Sequence, residues 1–185
     1  MKENAFFVFV CFLMDGLLAT LFPISNEPNT FIFVSNLGFC AMVLTLRKYS
    51  LLDGLLFAGC FGLFYDFFFA NTDFINFIIY IMMAWLVYIW RKHMTETMIE
   101  SIVLCISTIF VKELLLYCIA MIQEQTIMTF ENWFVYREFM TITINALLVF
   151  VLVSVIRVKD DFLLSKEIKI RKEEKIEWLK FISKR

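Results

Sequence analysis

Six apolar runs, each close to the length that crosses a lipid bilayer, leave this chain few folds to choose from. They cover about residues 4–22, 31–46, 51–70, 74–90, 99–122 and 139–156, and a hydrocarbon core takes about 17–25 mainly apolar residues per helix. The first run ends at Pro23 and the polar turn Ser25-Asn26-Glu27-Pro28-Asn29, and the second, short for a span, stops at Arg47-Lys48. Asn71-Thr72-Asp73 links the third to the fourth, which closes on Trp90 and Arg91-Lys92-His93. A longer connection, Gln123 to Glu138, precedes the sixth. Stretches such as Phe74 to Trp90 do not alternate in polarity, which excludes barrel strands. Apolar residues make up 61% of the chain, against about 45–50% in soluble domains. A water-soluble core could not bury the 23 Phe, 10 Met and 4 Trp of 185 residues. With 5 Gly and 2 Pro, collagen-like, linker-like and most disordered classes are excluded too. The expected fold is all-α, a polytopic membrane protein with six transmembrane helices in residues 1–156. The N-terminal run lacks a small-residue cleavage site and reads as a transmembrane helix rather than a signal peptide.

The basic residues orient the helices. With a cytoplasmic N-terminus, Lys2, Arg47, Lys48, Arg91, Lys92 and the ten basic residues from Arg157 onward all fall inside. That accounts for 15 of 17, leaving Arg137 outside and Lys112 within a span, so the positive-inside rule holds at every loop. Both termini are then cytoplasmic, and the protein is placed in the cell membrane. The tail, residues 157–185, reads as a cytoplasmic amphipathic helix, with Leu164, Ile168, Ile176, Leu179 and Ile182 at roughly helical spacing and Glu167 four residues before Arg171. It could rest on the anionic leaflet or dock a cytoplasmic partner. Its basic residues alternate with acidic ones and match no nucleic-acid module.

Within the third run, Gly54, Ala58, Gly62 and Asp66 recur every four residues with Gly59 beside them, a small-residue face that lets another helix approach closely. That helix could belong to this chain or to a partner. Asp15, Asp66, Lys112 and Glu113 are the ionisable residues inside spans, and each needs a reason to be there, because a mid-membrane charge costs about 2.5–3.5 kcal/mol. Counting along the helices from the cytoplasmic side places Asp15, Asp66 and Lys112 near mid-membrane or in the outer half. Lys112 is therefore expected to pair with Asp15, Asp66 or both, while Glu113, about 100° away from Lys112, needs water, Asn145 or a partner protein. Asp53, at a helix start, is expected to cap it or face its dipole. The four charges form a structural latch or the floor of a ligand pocket.

No catalytic arrangement is expected. His93 is the single histidine, so an H-E-x-x-H metal helix is excluded, and no serine has a histidine base within the spans. Tyr65-Asp66 matches half of the aspartyl intramembrane protease pattern, and no Gly-x-Gly-Asp supplies the other half. Cys11, Cys40, Cys60, Cys105 and Cys118 lie in apolar runs without C-x-x-C spacing; they read as small buried hydrophobes, with no metal or cofactor implied.

The run from Gly54 to Asp66, followed by a short polar link and another apolar span, resembles the signature of the rod shape-determining protein MreD family. In that family a glycine-rich helix ends in Gly-Leu-x-x-Asp, matched here by Gly62, Leu63 and Asp66. Many members place Pro or Gly shortly after the aspartate, where this chain has Ala70-Asn71-Thr72-Asp73-Phe74. The resemblance implies a six-helix bundle similar to the S components of energy-coupling-factor transporters. It also implies a non-enzymatic scaffold of the bacterial elongation machinery, acting with MreC and, through the assembly, with MreB, RodA and a class B penicillin-binding protein in sidewall peptidoglycan synthesis. The alternative on the same fold is a substrate-binding S component of a vitamin or small-molecule transporter, with Asp15, Asp66, Lys112 and Glu113 as its ligand floor.

Overall fold

Each apolar run contributes a helix, although the second does so over only part of its length. The computed structural model describes residues 2–22, 31–70, 74–95, 97–126 and 128–182. The polar turn 25–29 and the link 71–73 lie outside the described residues, as do the side chains of Glu167, Ile176, Leu179 and Ile182 in the tail. The elements are α1 (Lys2–Leu21), α2 (Leu37–Leu46), α3 (Leu51–Tyr65) with a π-helical turn at Asp66–Ala70, and α4 (Ile75–Trp90) with a 3-10 turn at Arg91–His93. They continue as α5 (Met98–Ile122), α6 (Phe130–Trp133) with a second π turn at Phe134–Glu138, and α7 (Phe139–Ile182). No strand occurs among the described residues. Among the described residues five helical segments are long and apolar enough to cross a membrane, which makes the chain an all-helical, multi-pass membrane protein. It divides into two compact units, Met1–Phe150 and Val151–Arg185.

The sixth expected span is the exception. Only Leu37–Leu46 of the second run is helical, ten residues or about 15 Å, half the thickness of a bilayer core. Every residue from Gly38 to Leu46 is buried, and α2 packs against α1, α3, α4 and α5. A helix that is apolar all round is one that other helices surround, so the second run forms the central post of the first unit rather than a lipid-facing span. Two other boundaries differ. Helix resumes at Phe130, inside the connection expected to run to Glu138, and α7 carries both the sixth run and the tail up to Ile182.

The outer surface is apolar: Leu52, Ile99, Phe68 and Leu56 each show more than 70% of their area, a surface suited to acyl chains and not to water. Cys11, Cys40 and Cys105 are buried as expected of small hydrophobes, whereas Cys60 and Cys118 are exposed because they face outward from α3 and α5.

The small-residue face of α3 is filled from within the chain. A Cβ on Gly62 would sit 2.7 Å from Phe77 Cα and 3.0 Å from the Asn76 carbonyl, and one on Gly59 would sit 3.1 Å from the Phe77 ring. Ala58 is fully buried, and Gly54 turns instead toward Leu46. The backbones of α3 and α4 therefore meet at Gly62, and no second helix has room on that face. Gly62→Ala is expected to destabilise the fold by about 1–3 kcal/mol through overpacking against an immovable backbone. Gly54→Ala, whose Cβ would meet only Leu46 Cδ2 at 3.4 Å, should stay within about 0.5 kcal/mol of the parent. Unfolding titrations in mixed micelles compare the two; equal losses would mean that α4 does not press on Gly62.

Candidate functional site

Two helices in the first unit begin without a cap of their own. Ser50, Thr97 and Thr129 cap α3, α5 and α6 by accepting from the amides of Asp53, Glu100 and Asn132, the usual Ser/Thr arrangement. Asp53 is thus a first-turn partner that accepts from the Ser50 hydroxyl at 2.6 Å, rather than the cap itself. At α2 and α4 the residues in the cap position, Asn36 and Phe74, make no side-chain cap bond. Buried aspartates from neighbouring helices do the work. Asp15, on α1, accepts from the amides of Leu37 at 2.8 Å and Gly38 at 2.7 Å and from the Ser35 hydroxyl. Asp66, closing α3, accepts from the Phe77 amide at 2.8 Å, the Asn76 amide at 3.1 Å and Asn76 Nδ2 at 2.9 Å. A carboxylate at a helix N-terminus satisfies orphan N–H groups and faces the positive end of the dipole.

Lys112 consequently pairs with neither aspartate, contrary to expectation. It is 1% exposed on α5, donates to Asn36 Oδ1 and lies 3.1 Å from Glu113 Oε1. Its ammonium also sits over the rings of Phe39 and Tyr65, 5.4 and 5.7 Å from their centroids. Glu113 finds its second partner in Arg137, whose Nη2 is 3.2 Å from Oε2, and not in Asn145. Adjacent positions on an ideal helix point about 100° apart, yet the length of the lysine side chain bridges that gap. Arg137, assigned by sequence to an outer loop, belongs to the π turn after α6 and reaches inward.

Residues 31–36 form no regular secondary structure, and backbone of that kind survives at membrane depth only where protein satisfies it. The Ile32 amide donates to the Tyr136 carbonyl at 2.8 Å and the Val34 amide to Thr141 Oγ1 at 3.4 Å. Asn145 accepts from the Asn36 amide at 2.9 Å and donates to the Val34 carbonyl at 2.8 Å. Asn36 is therefore the hub joining the non-helical segment, Lys112 and Asn145. Asn36, Asn76 and Arg137 were missed as site residues in the sequence, and Asn145 was considered there only as a partner for Glu113. A usable signal existed, since each asparagine interrupts an otherwise apolar run. Glu138, fully buried in the second π turn, has neither carboxyl oxygen hydrogen-bonded among the described residues.

Two cavities flank this network. The larger, of about 510 Å³, has Glu113, Arg137, Tyr65, Tyr117 and Trp133 in its walls and Gln123 and Gln125 at its exposed rim. The smaller, about 390 Å³, is lined by Asp15, Ser35, Ala19 and Phe33 and shares Val34, Tyr65 and Phe69 with the first. Of the four charges expected to form one ligand floor, Glu113 faces the larger cavity and Asp15 the smaller, while Asp66 and Lys112 line neither. No group of three or more His, Cys, Asp or Glu able to hold a metal occurs among the described residues. No protein-family model, curated protein or solved structure matches the chain.

Proposed function

We propose that this protein is a non-enzymatic scaffold of the MreD type in the cytoplasmic membrane, with both ends in the cytoplasm, and that it supports cell-shape control and sidewall peptidoglycan synthesis by holding MreC. The observation that carries the reading is the α3–α4 clamp. The residues of the resemblance, Gly62 and Asp66, are the ones that press on Phe77 and cap α4. A signature that shapes a helix hairpin fits a protein whose product is a surface. Asp15, Lys112 and Glu113 are engaged with one another, with Arg137 or with hydroxyl, backbone and amide groups, which also favours architecture over turnover. MreB, RodA and a class B penicillin-binding protein would be reached through the assembly.

The test is affinity purification of the tagged full chain from membranes co-expressing MreC of the same genome. Stoichiometric co-purification with MreC, and rounding of cells on depletion, are the expected results. Absence of both would remove the reading. A second reading, a transporter S component, is favoured by the larger cavity, and the same purification separates it: an ATPase-linked coupling subunit would be recovered instead.

A further inference from the structure

The larger cavity is walled along one face of α5 by Glu113, Leu116, Tyr117 and Ala120, with Gln123 at its mouth. Glu113 is buried and Gln123 exposed, and ten residues of helix separate them, about 15 Å. The depth suits a small molecule lying along the helix, and the volume falls in the range of ligand sites, about 300–1,000 Å³. Opposite α5 the wall is aromatic. Trp133 stacks on Tyr117 at 4.8 Å between centroids, and the Tyr117 hydroxyl is occupied with the Met128 carbonyl at 3.0 Å.

The polar groups at the inner end include a donor without an acceptor, Arg137 Nε, which is buried and makes no hydrogen bond among the described residues. Glu113 gives one oxygen to Lys112 and the other to Arg137, at 3.1 and 3.2 Å, so one carboxylate serves two cations. The other buried carboxylates take up none of the remaining Arg137 N–H groups. Asp15 is held by the 35–38 turn, and Glu138, although next in sequence to Arg137, makes no bond to it. Arg137 is one-third exposed, and Glu113 is its single hydrogen-bond partner among the described residues. The Tyr65 hydroxyl, on the same cavity, has no acceptor among the described residues. A guanidinium with N–H groups to spare beside a free phenol selects an oxyanion, and the walls above it select an apolar body.

We propose that this cavity binds an amphiphilic oxyanion, a carboxylate or phosphate monoester headed by Arg137 and Tyr65 with its hydrocarbon or ring portion between Tyr117, Trp133 and Leu116. The site serves either role considered above, and its test reads binding alone, so its failure leaves the scaffold reading untouched.

The full chain, reconstituted in phosphatidylcholine nanodiscs, is photolabelled with a diazirine-bearing ten-carbon carboxylic acid, and the labelled peptides are mapped by mass spectrometry. Labelling of the peptides carrying Leu116–Ala120 and Trp133 is expected to saturate and to be displaced by decanoate or by dihexanoyl phosphatidic acid. Displacement by the first alone assigns the site to free acids; displacement by the second alone assigns it to lipid headgroups. Arg137→Gln should weaken displaceable labelling at least about tenfold. Ala120→Phe, which fills the cavity and leaves the Glu113–Arg137 pair intact, should do the same in protein with unchanged thermal unfolding. Equal displacement by decanol would overturn the oxyanion assignment. Labelling that no competitor displaces, or that persists in Ala120→Phe, would overturn the site.

Discussion

Replacing Lys112 with methionine, nearly its equal in volume, is expected to cost the fold about 3–5 kcal/mol, the loss typical of removing one partner from a buried ion pair. The substitution strips Asn36 Oδ1 of its donor and leaves Glu113 with Arg137 alone. Most of the loss is the penalty on the groups left behind, not the worth of the pair. A double variant, Lys112→Met with Glu113→Gln, should therefore recover part of the stability. Unfolding free energies of the two single variants and the double variant, measured in one micelle composition, provide the cycle. A loss under about 1 kcal/mol for Lys112→Met would show that water reaches the pair and that the latch is not sealed.

Asp66→Ala is expected to cost about 3 kcal/mol or more. Three donors converge on this carboxylate, the amides of Asn76 and Phe77 and the Asn76 side chain. Hydrogen bonds to a charged group are each worth about 1.5–3 kcal/mol, and donors left buried without an acceptor add their desolvation cost. Phe74, at φ 62°, makes no side-chain cap bond and cannot take over. Asp66→Asn keeps one carbonyl oxygen but turns an amide toward the remaining N–H groups, so it should recover only a minor part. Hydrogen exchange at the Asn76 and Phe77 amides locates the effect: both should lose protection in Asp66→Ala while α5 keeps its own. Uniform loss across the chain would mean that Asp66 supports the whole unit and not the start of α4.

The legible part of this protein was its solvent. Runs of apolar residues report hydrophobicity additively, residue by residue, and need no knowledge of neighbours. The caps of α3 and α5 could be read in the same way, because Ser50 and Thr97 act on amides three residues on. The close contact at Gly62 was visible as a small-residue face, but its occupant was not, since spacing says that a helix approaches and not which one. The buried charges were found and then mispaired. Asp15 and Asp66 look like counter-ions for Lys112 when charge is the only criterion, whereas each is consumed by helix N-termini 22 and 11 residues further along.

Composition and periodicity alone determined that these helices live in lipid, because transfer free energy is a property of each side chain by itself. The tertiary structure alone decided that the second run becomes a central ten-residue post, that its entry is non-helical backbone satisfied by Asn145 and Thr141, and that Arg137 turns inward to Glu113. Hydrogen bonds and ion pairs are short-ranged and directional. Which donor meets which acceptor is set only once the packing has placed them within about 3 Å of each other.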